Sequence, residues 1–471
     1  MNKKNTTSFD VIIVGGGPAG LFAAYWLAEH SNLSVCLLER GERVSKRRCP
    51  VGKSGKCVNC KPCHILCGMG GAGLFSDGKL NFIHKLGKTD LTQFMSVSEA
   101  QALIVETEAV FNRFGMDGPV FPTDWEAAKN TRRAAKRAGI NLLLIRQKHM
   151  GSDMLPCHID GMCSWLEQKG VTVLTGQQAT EVLVNEGRDI RARYVKGVKT
   201  LKGNFTAKAV ILAPGRVGAD WTGEIARAFK LPVSQRGIEV GFRVEVHKDI
   251  LSTLTSVIYD PTFFIQTSKY DDQTRTFCTN PEGFVTLENY QDFVCVNGHA
   301  YRDRKSENSN FAFLSKVVLT DPVSDNQGYG MALGKLATLI GGGRPILQRF
   351  GDLKRGRRST WNRISKGSIA PTMRNATPGD IAMALPERIV SNLVDGLEQL
   401  HAVVPGVANE ETLLYAPEIK FFATQVESSS DLETAVPGLY VAGDGPGVSG
   451  NIVSAAATGI IPAKAIIARL G

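Results

Sequence analysis

The sequence predicts an α/β fold in which a discontinuous domain, built on a parallel sheet, is interrupted by an inserted α+β domain. A strand, a glycine-rich turn, a helix and a second strand follow one another at the start of the chain. Buried-strand runs of the same type recur at 207–215 and 438–444, whereas short alternating strands fill much of the stretch between them. We therefore expect the first domain to comprise 1–218 and 418–471, and the inserted domain to comprise 219–417.

Length and composition are those of an ordinary soluble protein. The chain has 471 residues, which suits two or three domains. Charged residues make up 21% and hydrophobic residues 43%, which is not typical of a disordered or fibrous chain. The uncharged run 11–28 is long enough to cross a bilayer, but the glycines at 15–17 and Pro18 divide it into strand, turn and helix. No separate apolar segment precedes it, so we expect no signal peptide, no membrane span and a cytoplasmic location.

Local patterns place the remaining elements in order. A helix beginning at 96 shows a capping-box pattern at Ser98 and Gln101, and Gly115 is its expected stop. The periodic run "LPERIVSNLVDGLEQL" predicts a helix that closes the inserted domain. The run "GNIVSAAATGIIPAKAIIARL" predicts a terminal helix directly after the last buried strand.

The opening glycines match a dinucleotide-binding turn. Gly15, Gly17 and Gly20 form GxGxxG between a strand and a helix. The first glycine makes the tight turn, the second lets the backbone approach a pyrophosphate, and the third lets helix and strand pack closely. Glu39 ends the second strand, at the distance expected for an acceptor of ribose hydroxyls. The competing interpretation is a glycine-rich core turn without a ligand.

The late strand "GLYVAGD" indicates which dinucleotide is bound. It resembles the strand of two-dinucleotide-binding-domain flavoproteins that ends in Gly-Asp, where the aspartate holds the ribityl and pyrophosphate region of FAD. Gly443, Asp444, Gly450 and Asn451 match that arrangement, and Gly215 ends a strand that resembles the middle strand of the same fold. The alternative for Asp444 is a helix cap or turn residue.

Nearly the whole chain resembles a family of FAD-dependent dehydrogenases of bacteria and archaea. The resemblance rests on stretches such as "GMGGAGLFSDGKLN", "TFCTNPEGFVT", "LLYAPEIKFF" and "GLYVAGDGPGVSGNIVSAAATG". This family is distantly similar to flavoproteins that reduce bile-acid enones and to geranylgeranyl reductases. The resemblance implies a discontinuous Rossmann-like FAD-binding domain with an inserted substrate or cap domain. It implies an FAD-dependent oxidoreductase of a small molecule without naming the substrate.

The glycine-rich stretch 68–79 resembles a loop that runs along the flavin in related proteins. Gly71, Gly73 and Ser76 would then contact the cofactor, because glycines let backbone amides approach it without Cβ clashes. Asp77 and Lys79 would face the cofactor or the substrate as catalytic residues. A simple turn is the competing interpretation.

A cysteine-rich segment lies directly before this loop. Its spacing, C-x2-C-x2-C-x3-C, matches the bacterial iron–sulfur run. The preferred ligands of a [4Fe–4S] cluster are Cys49, Cys57, Cys60 and Cys63, with Cys67 as the substitute for Cys49. Structural zinc is the main alternative, since four thiolates suit it as well. A thiol–disulfide relay and inert thiols are further alternatives.

The remaining candidates concern substrate and partners. Glu418 and Lys420 are the expected catalytic contacts in the inserted domain, Arg243, His299 and Arg302 are weaker candidates, and a surface ion pair is the alternative for the first two. No second complete GxGxxG unit occurs, so electrons would come from transient NAD(P)H or from a ferredoxin- or flavodoxin-like carrier. An FAD-binding sensor without turnover is a further possibility.

The positive charge leaves a second class of partner open. The net charge is +10, with basic runs at 45–49, 132–137 and 354–358. These predict solvated surface that complements an anionic cofactor, and the alternative is an RNA-modifying or RNA-associated flavoprotein.

Overall fold

The computed structural model describes most of the chain as two compact units. It describes residues 7–50, 58, 60–76, 78–87, 89–151, 154–185, 193–234, 237–290, 292–301, 303–320, 325–421 and 424–471. The first unit is Met1–Gly118, Met150–Ser234 and Ala423–Gly471, and the second is Pro119–His149 and Gln235–Phe422. The predicted sites Cys57, Asp77 and Arg302 lie outside the described residues.

The described strands are two to ten residues long, and strands of ten residues occur in both units. They are, in chain order, β1 (Thr7–Val14), β2 (Val35–Leu38), β3 (Lys79–Phe82), β4 (Lys85–Leu86), β5 (Thr89–Asp90), β6 (Val120–Phe121), β7 (Asn141–Leu143), β8 (Arg146–His149), β9 (Thr172–Leu174), β10 (Ala179–Val184), β11 (Val195–Thr200), β12 (Gly203–Leu212), β13 (Val233–Ser234), β14 (Ile238–His247), β15 (Thr262–Gln266), β16 (Gln273–Asn280), β17 (Phe284–Asn289), β18 (Val294–His299), β19 (Asn308–Val317), β20 (Ile346–Arg349), β21 (Thr377–Pro378), β22 (Leu413–Lys420), β23 (Gln425–Val426) and β24 (Leu439–Val441).

The described α-helices belong to both units. They are α1 (Pro18–His30), α2 (Val97–Arg113), α3 (Trp125–Arg137), α4 (Leu155–Gln168), α5 (Ala219–Phe229), α6 (Lys248–Val257), α7 (Asn326–Ile340), α8 (Phe350–Lys354), α9 (Trp361–Ile364), α10 (Glu387–His401) and α11 (Ile452–Leu470).

The first unit is a Rossmann-like α/β domain, as predicted. Its sheet has the order β10-β11-β12-β1-β2-β9, and β24 also pairs with β12. The pairs β1–β12, β1–β2, β2–β9 and β12–β24 are parallel. The residues of β1 from Val11 to Val14 are buried and apolar without alternation, as expected for a parallel strand covered on both faces. The strand–turn–helix division of the apolar run 11–28 is therefore confirmed.

Helix α11 packs against α1 in the core of this unit. An added Cβ at Gly459 would lie 2.0 Å from the carbonyl oxygen of Ala19, so only glycine permits this approach. Within the described residues, α11 is the one helix long and apolar enough to cross a membrane, and 67% of its apolar window is buried inside the protein. A core helix of a soluble protein passes the same test.

The second unit is built on an eight-stranded sheet with the order β21-β20-β22-β14-β19-β16-β15-β7. Strand β14 alternates strictly: Val240, Phe242, Val244 and Val246 join one apolar core, and the residues between them face the other side. The segment 119–149 falls within the predicted first domain, but it belongs to this unit, where β7 pairs with β15.

The N-cap of helix α2 lies two residues before the predicted one. The predicted capping box at Ser98 and Gln101 is wrong. The side chain of Ser96 accepts from the Glu99 amide, and the Glu99 carboxylate accepts from the Ser96 amide. The predicted stop is confirmed, since Gly115 has φ 81°, in the left-handed region that ends helices.

The contact between α1 and α11 generates a stability prediction. Gly459→Ala should lower the free energy of unfolding by about 1–3 kcal/mol, because the new methyl overlaps the Ala19 carbonyl. Gly161→Ala is the matched control: it lies inside α4, nothing lies within 4 Å of an added Cβ, and alanine is favoured there by about 0.5–1 kcal/mol. Urea unfolding checks both. Equal effects of the two changes would contradict the prediction.

Candidate functional site

The three glycines of the opening turn have different surroundings. Gly15 has φ 111°, and an added Cβ would lie 2.1 Å from the Ala213 carbonyl oxygen. At Gly20 an added Cβ would lie 1.9 Å from the Gly15 carbonyl oxygen. Gly17 is the N-cap of α1, and its added Cβ would meet only the Gly71 Cα, at 3.8 Å. Packing therefore requires the first and third glycines, whereas the second leaves space at the positive end of α1.

Glu39 ties three loops together at the end of β2. Its Oε2 accepts from the Gly16 amide at 2.7 Å, and its Oε1 accepts from the amides of Gly41 and Gly68 at 2.8 Å each. The side chain is buried, with 6% exposure for the residue. A carboxylate has about four acceptor positions, so one remains on Oε2. The sequence predicts a ribose acceptor here but gives no sign of the three amide bonds.

The glycine-rich loop lies beside the N-termini of two helices. Gly71 faces Gly17, and an added Cβ at Gly73 would lie 3.7 Å from the side chain of Ile452 at the start of α11. The hydroxyl of Ser76 donates to the Gly73 carbonyl at 2.7 Å and accepts from the Gly78 amide, which fixes the turn after it. The loop thus places backbone between the two helix ends.

The start of α11 holds buried polar atoms that have no hydrogen-bond partner among the described residues. Asn451 caps the helix by accepting from the Ser454 amide at 2.9 Å. In the described part of the chain, Nδ2 of Asn451, Oγ of Ser454 and Oγ1 of Thr89 are buried without a hydrogen-bond partner. Thr89 Oγ1 is 3.5 Å from an added Cβ at Gly450, so these groups share one neighbourhood. Buried polar groups normally have partners, and a polar ligand would supply them.

Asp444 follows β24 and is held in a fixed position. Its Oδ1 accepts from the Ser449 hydroxyl at 2.5 Å, and its Oδ2 accepts from Arg216 Nε at 3.1 Å. An added Cβ at Gly445 would lie 2.7 Å from the Gly215 carbonyl oxygen, which brings the two predicted turns together. Gly215 itself has φ 64° and open space around its Cβ position. Gly443 has φ 78° beside Ala19 of α1, which brings the strand exit to the glycine turn.

A buried arginine holds the segment that follows the cysteines. Arg47 lies in the basic run 45–49 but is only 5% exposed. Its guanidinium donates to the main-chain carbonyls of the segment 64–71, at His64, Ile65, Gly68, Met69 and Gly71. Burial lowers the pKa of Arg47 to about 10, so it remains charged at neutral pH. This arginine shapes the loop, whereas the sequence pattern suggests surface charge.

The described cysteines do not gather as the metal prediction requires. Among residues with described positions, no three His, Cys, Asp or Glu side chains form a group able to hold a metal ion. Cys49, Cys60 and Cys63 are half-buried, and Cys57 is outside the description. Cys67 instead accepts hydrogen bonds from Nε and Nη2 of Arg40 at 3.1 and 2.9 Å. Burial raises the pKa of the Cys67 thiol, and Arg40 offsets part of this effect.

The second unit contains a fully buried ion-pair cluster. Nε and Nη2 of Arg243 each donate to one carboxylate oxygen of Glu418 at 2.8 Å. Lys420 Nζ is 2.8 Å from the same carboxylate, and both Arg243 and Glu418 have side chains of 0% exposure. Asn310 accepts from Nη1 of Arg243 at 2.9 Å. The surface ion pair considered for Glu418 and Lys420 is therefore wrong.

This arrangement limits what Glu418 and Lys420 can do chemically. Burial by itself raises the pKa of Glu418, but Arg243 and Lys420 outweigh it and hold that pKa below its usual range. The pKa of Lys420 is raised, because Glu418 and Glu288 outweigh its burial. Both groups stay charged at neutral pH, and both oxygens of Glu418 are occupied.

His299 lies half-buried on β18. The predicted cofactor residues all belong to the first unit, and Glu418 and Lys420 belong to the second.

Lys79 is the remaining predicted catalytic residue in the first unit. It begins β3, directly after the glycine-rich loop, and is only 8% exposed. Sequence reasoning missed Thr89, Ser454 and Arg47. The sequence signal for Ser454 is its hydroxyl in the first turn of an apolar helix. No sequence pattern marks Thr89 or Arg47.

The buried cluster generates a pH-dependent prediction. Glu418→Gln should lower the free energy of unfolding by about 3–5 kcal/mol, because Arg243 and Lys420 then stay buried without their counter-charge. The pKa of Glu418 is depressed in the folded state. Its contribution is therefore fully present above its unfolded pKa of about 4.3 and is lost as the pH falls through the lower folded value. Urea unfolding between pH 7 and pH 3 measures this.

The control for this cluster is an exposed pair. Glu398→Gln removes the partner of Lys354, whose side chain is 47% exposed, and should cost less than about 1 kcal/mol. The stability of Glu418→Gln should also change less than that of the unaltered protein on acidification. If the free energy of unfolding falls equally with pH in Glu418→Gln and in the unaltered protein, the acid sensitivity does not come from Glu418.

Three family models match parts of the chain. A model described as "FAD dependent oxidoreductase" matches residues 10–55, and one described as "FAD-dependent protein, C-terminal domain-like" matches 238–420. A model described as "Glucose inhibited division protein A" matches 376–470. An uncharacterised protein of Clostridium beijerinckii is 26% identical over 97% of this chain and 80% of its own length.

Solved structures of flavin enzymes align over nearly the whole chain at low similarity. Glycine oxidase from Geobacillus kaustophilus is 13% identical, with coverage of 98% of this chain and 95% of its own and a TM-score of 0.39. L-proline dehydrogenase from P. horikoshii is 10% identical, with coverage of 98% and 94% and a TM-score of 0.40. The assignment rests on the family models, and the narrower likeness to bile-acid enone and geranylgeranyl reductases stays a prediction. The matches over 10–55 and 238–420 cover the glycine turn with Glu39 and most of the second unit, and they make this chain similar to FAD-dependent oxidoreductases.

Proposed function

We propose that the first unit binds FAD between the glycine turn, the glycine-rich loop and the start of α11, and uses it to oxidise or reduce a small molecule. One observation carries the proposal: Gly17 is the member of GxGxxG that no protein atom requires to be glycine. The space at its Cβ position lies at the positive end of α1, where a pyrophosphate is stabilised.

The other contacts follow from the same placement. Glu39 offers its remaining acceptor position to a ribose hydroxyl while its three amide bonds hold the surrounding loops. Asp444 would hold the ribityl and pyrophosphate region, with open space at the Cβ position of Gly215. Asn451 Nδ2 and Ser454 Oγ, which are buried without a hydrogen-bond partner among the described residues, would bond to polar atoms of the cofactor at the start of α11. Gly71 and Gly73 let backbone lie against the ring system.

The protein's part in the reaction is to position and to exclude water. FAD supplies the hydride or electron transfer when bound. Arg47 fixes the carbonyls of 64–71, so the loop is already shaped before the cofactor arrives. Lys79 is the proposed proton donor or electrostatic partner for the reacting atoms, since it leaves the loop as a nearly buried cation. Asp77 shares this proposal from its sequence position alone.

The cysteine segment is the proposed entry point for electrons. The spacing of Cys57, Cys60 and Cys63 supports a [4Fe–4S] cluster with Cys49 as the fourth ligand, and a ferredoxin- or flavodoxin-like donor would then reduce it. A zinc site with direct NAD(P)H reduction of the flavin is the alternative.

The Gly17 space predicts a selective loss of cofactor. Gly17→Val should yield protein without FAD, because the isopropyl group fills the pyrophosphate position. The backbone there has φ −79°, which valine adopts, so the melting temperature of the apoprotein should stay close to that of the unaltered apoprotein. Absorption of the purified protein and FAD titration of the apoprotein measure this.

Gly20→Ala is the matched control for the same turn. It should lower the melting temperature of the apoprotein itself, because the added methyl overlaps the Gly15 carbonyl. Full FAD occupancy in Gly17→Val would overturn the proposed site.

The cysteine proposal predicts a metal that can be removed without loss of FAD. Protein purified without oxygen should contain about four irons and four sulfides per chain. Cys60→Ser should remove the iron and leave FAD in place, because Arg47 holds the following loop independently of the metal. Stoichiometric zinc without sulfide would replace the cluster by the zinc alternative, and absence of both metals would reject the site.

A further inference from the structure

The three basic runs of the sequence differ in how many of their cations are paired or buried in the structure. In the run 354–358, Lys354 pairs with Glu398 at 2.5 Å, Arg357 pairs with Asp352 at 2.7 Å, and Arg355 pairs with Glu410. In the run 45–49, Arg47 is buried against main-chain carbonyls, and Lys46 lies 4.0 Å from Glu42. Most of the charge in these two runs is therefore already used within the protein.

The run 132–137 is different, because α3 exposes it and leaves it unneutralised. Helix α3 buries only Ala128 and Ala135 against the second unit. Four exposed cations occupy its second half, and none of them pairs with a carboxylate among the described residues. We name this set the α3 basic face: Arg132, Arg133, Lys136 and Arg137.

An exposed aromatic side chain continues the same face. Trp125 begins α3 and is 45% exposed. Arg132 and Lys136 follow it at seven and eleven residues, which brings all three to nearly the same side of a helix with 3.6 residues per turn. Lys129 lies between them and is partly neutralised by Glu126 at 2.7 Å. Trp125, Arg132 and Lys136 therefore form a stripe parallel to the helix axis, with one to two turns between neighbouring residues.

We propose that the α3 basic face and Trp125 bind a single-stranded segment of nucleic acid. Arg132 and Lys136 contact phosphates along the stripe, Arg133 and Arg137 flank it and attract the strand, and the indole stacks on an unpaired base. Regular phosphates match a row of unneutralised cations, and an arginine guanidinium also suits phosphate oxygens geometrically. Cations combined with an exposed aromatic are the usual composition of surfaces that bind single strands without strong sequence preference. This inference does not depend on the proposed flavin chemistry.

An acidic protein partner is the competing occupant, and the surface favours it less. A protein interface requires an apolar centre surrounded by charge. On α3 the one large exposed apolar side chain lies at the end of the stripe, and the alanines at the helix surface offer little apolar area. The linear arrangement fits a charged polymer better.

The test uses the full-length protein with its cofactor and a fluorescein-labelled 20-nucleotide RNA. Anisotropy titrations at 50–200 mM salt give the affinity and its salt dependence. The variant R132Q/R133Q/K136Q/R137Q should weaken binding at least about tenfold and make the slope of log K against log salt shallower by about 1.5–3, because two to four phosphate contacts are lost. Trp125→Ala should weaken binding about fivefold or more at an unchanged slope, and Trp125→Phe should restore much of it.

The control removes the same number of charges elsewhere on the second unit. R344Q/R358Q/K366Q/R374Q alters four exposed cations that have no carboxylate partner within the described residues, and it should change the affinity and slope much less. Melting temperature and FAD content should stay constant in both sets. Failure of the unaltered protein to bind the RNA at 50 mM salt would overturn the inference, as would equal losses in the two sets. Unchanged RNA binding in the α3 variant, with slower reduction by an acidic ferredoxin, would assign the face to a protein instead.

Discussion

The first unit depends on the carboxylate of Glu39. Three amides from three separate loops converge on its two oxygens, at Gly16, Gly41 and Gly68. Without an acceptor these amides would be buried donors with nothing to bind, which costs about 1–3 kcal/mol for each. The glycine turn, the exit of β2 and the start of the glycine-rich loop therefore share one anchor, and the ligand-facing surface is assembled around it.

In the second unit, buried ion pairs and hydrogen bonds on one face of the sheet hold the strands together. Strand β14 sends its apolar residues into one core and its charged residues to the opposite face, where Arg243 and Glu239 find partners on β22 and β16. Glu245 lies on that face as well, and it accepts from the Tyr415 hydroxyl at 2.7 Å. Ion pairs and hydrogen bonds of this kind fix the register of neighbouring strands, because a slip by one residue would bury each polar group against apolar side chains.

The sequence predicts the elements of the first unit well because their patterns are local. The run "FDVIIV", the glycine turn and the capped terminal helix each specify their own structure within a few residues. The predictions that failed depend on distant partners. Nothing near Arg47 indicates that its acceptors lie 17 to 24 residues later, and nothing near Glu418 indicates that Arg243 occupies both its oxygens. The capping error at α2 is local: two overlapping capping patterns lie two residues apart, and the structure uses the one formed by Ser96 and Glu99.

The hydrogen bonds of Arg47 affect which substitutions the segment 64–71 can accept during evolution. Each acceptor is a main-chain carbonyl, which every amino acid possesses, so substitutions at His64, Ile65 and Met69 leave these acceptors in place, whereas an added Cβ at Gly68 would lie 2.5 Å from Cδ of Arg47. The path of the backbone there is held by Arg47 from outside the segment and by three glycines with positive φ within it, Gly68, Gly70 and Gly71. Cysteines, and whatever they bind, can thus be gained or lost along a lineage while the neighbouring glycine-rich loop keeps its shape.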